Sequence, residues 1–150
     1  FEKAIGKVSF VQDNESRSSK GVLRGLHYQK PPFAQAKLVR CIEGEILDIA
    51  VDIRKDSPTY GLYHSDVLSS ENKKQLFIPR GFAHGFVVLS DYAVFAYKVD
   101  NTYAPDYEAG ILWNDKKLGV DWGAKESEIF ISNKDEQLPL FSQFKSPFKF

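Results

Sequence analysis

The sequence predicts an all-β fold, an antiparallel sandwich or barrel in a single domain. Three observations carry that expectation. Apolar and β-branched runs of about four to eight residues recur at a spacing of roughly ten, divided by Gly, Pro, Asn, Asp and Ser. Helical periods are few. The 150 residues are 43% hydrophobic and 14% aromatic, enough to bury a core and too apolar for a disordered chain.

In chain order, F-E-K-A-I-G reads as the end of a helix stopped by Gly6, one of the short helical segments expected to flank the sheets. N-E-S-R-S-S-K-G-V-L (14–23) reads as a loop entering a strand that carries R-G-L-H-Y-Q (24–29). K-L-V-R-C-I (37–42) passes through E-G-E into I-L-D-I-A-V-D-I-R (46–54), the pattern of a hairpin with a short turn. D-S-P-T-Y-G (56–61) is a loop, and L-Y-H-S-D-V-L (62–68) alternates again. S-S-E-N-K-K (69–74) turns into Q-L-F-I-P (75–79); F-V-V-L (86–89), Y-A-V-F-A-Y-K-V (92–99) and A-G-I-L-W (109–113) complete the strands. There is no internal repeat, low-complexity stretch or interdomain linker.

Twenty acidic and twenty basic residues balance, so no net field calls for nucleic acid or an anionic membrane. No apolar run approaches the ~20 residues of a membrane span. The single cysteine, Cys41, excludes an intrachain disulfide and a cysteine-rich zinc site, and suits a reducing, cytoplasmic compartment. Methionine is absent even from position 1, which leads us to expect a chain lacking its N-terminus.

Histidine is scarce: His27, His64 and His84. On a regular strand Arg24 and Leu26 point one way while Gly25, His27 and Gln29 point the other, with Gly25 leaving room for a ligand. His27 is then a metal ligand, a proton-transfer group or a hydrogen-bonded core residue. In 46–53, Leu47, Ile49, Val51 and Ile53 share one face; Ile46, Asp48, Ala50 and Asp52 share the other, which either lines a polar cavity or meets solvent. Pro79-Arg-Gly-Phe-Ala-His84 resembles the second half-motif of cupins, small barrels that often hold a metal. The first half-motif would be His27-Tyr28-Gln29, where an amide replaces the second imidazole; two histidines are too few for a secure zinc or iron site, so no metal is expected. Lys37 shares a face with Val39 and Cys41. Taken singly, Lys37, Tyr97, Tyr103 and Asp135 read equally well as a strand-end lysine, two core or rim aromatics and a loop acid.

The combination is more specific. V-Q-D-N (11–14), G-V-L-R-G-L-H-Y-Q (21–29), Q-A-K-L-V-R (35–40), D-I-A-V-D-I-R (48–54), I-P-R-G-F-A-H-G-F (78–86) and W-N-D (113–115) occur in order. Together they closely resemble the dTDP-4-dehydrorhamnose 3,5-epimerases, from residue 1 to about residue 135; the tail P-L-F-S-Q-F-K-S-P-F-K-F is not diagnostic. The resemblance implies an antiparallel, cupin-like jelly-roll barrel, usually a homodimer. Its substrate would be dTDP-4-dehydro-6-deoxy-D-glucose, inverted at C3 and C5 with no metal or organic cofactor. It implies His27 as general base, Asp135 (in S-N-K-D) as its partner, Lys37 near the keto oxygen and Tyr97 as acid on the opposite face. Arg24, Gln12, Asn14 and Glu108 match positions that touch the nucleotide or its phosphates, and Gln29, Asp48, His84 and Tyr103 further pocket positions. Family members carry an upstream G-D-x-R-G-F-like block, so a segment of about 30–40 residues is expected to be missing in front.

The chemistry suits these types. A hydrogen α to a ketone is acidic only if the enolate is stabilised as it forms; an imidazole titrating near ~6.5 is a suitable base, and a cation beside the oxyanion stabilises it. Other readings remain open at this level: a mono-epimerase or ketoisomerase on a related dTDP-keto sugar, a non-catalytic sugar-nucleotide-binding jelly roll with no need of the His27–Asp135 pair, and a metal-dependent cupin oxygenase, against which Gln29 counts.

Overall fold

The computed structural model describes residues 2–150. Among them, nine strands form two antiparallel sheets: β1 (Gln12–Ser19), β2 (Leu23–Gln29), β3 (Lys37–Glu43), β4 (Glu45–Asp52), β5 (Tyr63–Ser69), β6 (Gln75–Ile78), β7 (Phe82–Val88), β8 (Tyr92–Val99) and β9 (Glu108–Gly110). Two four-residue helices, α1 (Glu2–Ile5) and α2 (Asn133–Glu136), flank them. The four-stranded sheet has the order β1-β8-β3-β6 and the five-stranded sheet β5-β4-β7-β2-β9, a jelly-roll sandwich. Gly6 follows α1 at φ +78°, its N–H donating to the Glu2 carbonyl, as expected of a helix stop.

The expected hairpin across residues 37–54 does not form. β3 pairs with β6 and β8, whereas β4 pairs with β5 and β7 in the other sheet. Gly44, the one residue between them, is too short a link for the ~two-residue loop of a tight hairpin and turns a corner between sheets instead. It sits at φ +77°, and a Cβ there would collide with the Tyr92 carbonyl oxygen and Ser90 Oγ.

The stretch expected as a loop, 14–19, belongs to β1, an edge strand paired with β8 along its whole length, from Gln12 opposite Val99 to Ser19 opposite Tyr92. It is polar on both faces because one meets solvent and the other, Gln12, Asn14, Ser16 and Ser18, turns into the sandwich.

Two apolar cores result. Val39, Ile46, Leu68, Val88, Phe86 and Phe95 fill the space between the sheets. On the outer face of the five-stranded sheet, Leu23, Ile49, Val51 and Val87 are covered by Trp113, Trp122 and Phe141, each buried side chain of this size contributing about 1.5–3 kcal/mol. The second face of β4 is therefore not solvated: Ile46, Asp48, Ala50 and Asp52 are all buried. The undiagnostic tail closes the outer core, Phe144 and Phe148 meeting Tyr28 edge-on at 6.2 and 6.0 Å.

Candidate active site

β2 does not alternate regularly. Its register against β7 runs Arg24 opposite Phe86, then His27 opposite His84, so two residues face one on the partner, a β-bulge. The extra residue undoes the simple parity: Arg24 and His27, expected on opposite faces, both line one cavity between the sheets. Gly25 makes the bulge possible. It adopts φ +136°, and a Cβ would lie 2.6 Å from Gly85 Cα and 2.9 Å from the His84 carbonyl oxygen. The space it leaves is thus taken by the β7 backbone rather than by a ligand.

His27 Nε2 lies 2.6 Å from Asp135 Oδ1. Asp135 sits in the first turn of α2, not in a loop, where Ser132 Oγ caps the helix by accepting from the Asp135 N–H at 3.2 Å. The second carboxylate oxygen accepts from the Gly25 N–H at 3.2 Å, so one aspartate fixes both the imidazole and the bulge that presents it. Burial alone would raise this carboxyl, but its bond to His27, the charge there and the Gly25 N–H hold it below the usual range. With Nε2–H engaged, the Nδ1 lone pair of a neutral His27 is available as a base.

A second His–Asp pair lies deeper. His84 Nε2 is 2.9 and 3.1 Å from the two oxygens of Asp48, which is wholly buried and does not line the cavity itself. Burial pushes the His84 imidazole toward its neutral form; Asp48 opposes this, while Lys37 and His27 add to it. Lys37 projects inward from β3, and burial lowers its ammonium from 10.5 to about 8 against the opposing pull of Asp48 and Glu108. Its Nζ is 5.7 Å from the centre of the Tyr97 ring. Burial raises the Tyr97 hydroxyl, with Arg24 pulling the other way.

These groups surround a cavity of about 340 Å³, with Arg24, His27 and His84 on the five-stranded sheet, Asn14, Ser16, Lys37 and Tyr97 on the four-stranded sheet, and Tyr103 and Glu108 at the rim. A recess of about 210 Å³ adjoins it, walled by Gln12, Asn14, Gln35, Tyr97 and Tyr103. At the rim, Glu108 accepts from Tyr103 at 3.0 Å and from Lys134 at 2.6 Å; burial alone would raise its carboxyl, but these bonds hold it low. Arg24 Nη2 donates to Ser18 Oγ at 3.4 Å across the gap between β1 and β2. A larger cleft, about 700 Å³, lies on the outer face of the four-stranded sheet beside residues 2–10 and contains no histidine.

Of the residues singled out in the sequence, nine line the cavity or recess, and Asp135 and Asp48 each bond directly to one that does, His27 and His84 respectively. Asp48 stands one layer back, behind His84. Gln29 is off the lining because its amide is consumed by backbone: it donates to the Phe33 and Thr102 carbonyls and accepts from the Ala104 N–H. Sequence reasoning passed over Ser16, Phe86, Phe95 and Lys134. Reading β1 as a strand would have found Ser16, and Phe95 shares a face with Tyr97 two residues on.

The family model described as dTDP-4-dehydrorhamnose 3,5-epimerase matches residues 1–143. The chain belongs to the dTDP-4-dehydrorhamnose 3,5-epimerase family. It is an enzyme, an isomerase that epimerises a nucleotide-linked sugar in dTDP-rhamnose synthesis. Among its relatives, the Shigella flexneri dTDP-4-dehydrorhamnose 3,5-epimerase is 59% identical over 136 residues, 90% of this chain and 74% of its own. The crystal structure of the Elizabethkingia anophelis epimerase is similar at TM-score 0.91 and 52% identity, covering 94% of this chain and 78% of that one. That of the Legionella pneumophila dTDP-6-deoxy-D-glucose-3,5-epimerase, in complex with dTDP-4-keto-L-rhamnose, gives TM-score 0.94 and 47% identity over 99% and 80%.

Proposed function

We propose that His27, Asp135, Lys37 and Tyr97 carry out both epimerisations of dTDP-4-dehydro-6-deoxy-D-glucose to dTDP-4-dehydro-L-rhamnose, without metal or organic cofactor. The observation that supports this best is that His27, backed by Asp135, and Tyr97 line one cavity from opposite sheets, with Lys37 on the Tyr97 sheet and its Nζ 5.7 Å from the Tyr97 ring centre. His27 takes the proton from C5 or C3, and the C–H electron pair moves through the new C=C bond onto the C4 oxygen. Lys37, as a cation, stabilises that enolate oxygen. Electrons then return from oxygen, and the carbon takes a proton from the Tyr97 hydroxyl on the other face. The imidazolium and tyrosinate left behind are reset by proton exchange with water before the second carbon reacts. Asp135 holds the tautomer and stabilises the imidazolium.

Arg24 is suited to fork onto the diphosphate, with Gln12, Asn14, Tyr103 and Glu108 around the nucleotide at the rim and His84 beside the sugar. Asp48 and Gln29 serve from behind, the first through His84 and the second by tying residues 102–104 to β2. A homodimer is part of the same proposal, supported by the exposed Val11 and Ile42 and by the cleft on the outer face of the four-stranded sheet. So is a cytoplasmic location, which the free Cys41 suits; no helix among the described residues is long and apolar enough to cross a membrane.

The test is proton NMR of dTDP-4-dehydro-6-deoxy-D-glucose incubated with the protein in deuterated water. Deuterium at both C3 and C5 with the inverted product is expected, and His27→Ala should abolish both while keeping dTDP binding. Exchange at one carbon alone would make it a mono-epimerase. Tight dTDP binding with no exchange would make it a binding protein.

A further inference from the structure

We propose that Phe86 and Phe95 form the seat of the substrate's C5 methyl group and thereby select 6-deoxy sugars over their 6-hydroxy counterparts. This rests on the nucleotide-sugar function given above. Apart from these two rings, every residue lining the main cavity carries a polar or charged group. Both rings are buried, and both belong to the apolar core between the sheets, so they are the layer at which that core meets the cavity. A 4-keto-6-deoxyhexose bound there offers hydroxyls, a ketone and a diphosphate to the polar lining; its one apolar substituent is the methyl on C5.

The placement of the two rings also fits inversion. Phe86 projects from β7, paired with β2 where Arg24 and His27 stand; Phe95 projects from β8, two residues before Tyr97. They stack at 4.3 Å between centroids with planes 27° apart, forming a continuous apolar surface from the base's sheet to the acid's sheet. Inversion at C5 carries the methyl from one side of the sugar ring to the other. A surface joining both sheets keeps it in apolar contact before and after, whereas a hydroxymethyl group would lose hydrogen bonds to water in either configuration.

The test compares dTDP-D-glucose with dTDP-6-deoxy-D-glucose, which differ only in the 6-hydroxyl, by isothermal titration calorimetry, with dTDP as reference. The wild type should bind the 6-deoxy compound about 10- to 100-fold more tightly, the range over which an apolar pocket rejects an added hydroxyl. Phe86→Ser and Phe95→Ser, each confirmed folded by retained dTDP binding, should narrow the ratio to within about threefold. Equal wild-type affinity for the two sugars would overturn the proposal without any variant, and so would an unchanged ratio in both folded variants. If dTDP itself fails to bind, the underlying nucleotide-sugar reading falls instead.

Discussion

Asp135 reaches His27 across 108 positions of sequence, Oδ1 standing 2.6 Å from Nε2 while Oδ2 accepts from the Gly25 N–H. The carboxylate therefore sets the imidazole's tautomer and its position together. Asp135→Asn should preserve the shape of this contact but lets the amide donate to Nε2, turning the proton-bearing nitrogen toward the cavity. A fall in kcat of about 10³–10⁴ is expected, with dTDP affinity within about twofold of wild type. Steady-state kinetics beside calorimetry on the same preparation separates this from simple unfolding.

Lys37 predicts opposite responses of activity and stability to alkali. Its folded value lies near 8, below the ordinary 10.5, so activity that needs the cation is expected to fall as pH rises through about 8. Between about 8 and 10.5 the unfolded chain holds this proton and the folded chain does not, so the Lys37 contribution makes folding more favourable as pH rises. The difference in stability between wild type and Lys37→Met across that window should carry this slope. Asp48 opposes the lowering, so Asp48→Asn should move the alkaline fall in kcat to lower pH; an unmoved profile would remove Lys37 from the titration.

The parts of the fold legible in sequence were those whose burial follows a simple period. β8 read correctly because buried Ala93, Phe95 and Val99 recur on one face of it. β1 did not, because its inward face lines a polar cavity and so looks like a loop. The 37–54 corner read as a hairpin because a one-residue link and a tight turn share the same Glu-Gly-Glu signature, and only the neighbours at Tyr92 and Ser90 decide between them. The site was legible through blocks of residues at characteristic spacings, since neither the approach of Asp135 to His27 nor the bulge at Gly25 has a local signal.

Tyr97 and His27 on opposite sheets predict that exchange and inversion can be separated. In Tyr97→Phe the base remains, so it can remove a proton and return one from solvent to the same face. Deuterium should still enter at C3 and C5, while the inverted product falls at least about 100-fold. NMR in deuterated water reads both at once. Equal loss of exchange and product would show that Tyr97 acts on the abstraction step.

Gly25→Ala tests whether the bulge, rather than the histidine alone, makes the base. The added methyl would stand 2.6 Å from Gly85 Cα and 2.9 Å from the His84 carbonyl oxygen, both backbone atoms of a central strand, at a φ of +136° that L-residues avoid. No side chain can swing aside to relieve it, so β2 must move away from β7 or the bulge must relax. Either route shifts His27 and the Gly25 N–H that holds Asp135. A destabilisation of about 2–4 kcal/mol in urea unfolding is expected, together with a loss of kcat larger than the fraction unfolded accounts for. Leu26, the bulge's other residue, is wholly buried on the opposite side, and Leu26→Ala should cost about 2–5 kcal/mol while leaving kcat of the folded fraction within a few-fold of wild type. If the two variants lose kcat alike at matched stability, activity depends on the integrity of the sheet and the bulge has no separate part in presenting the base.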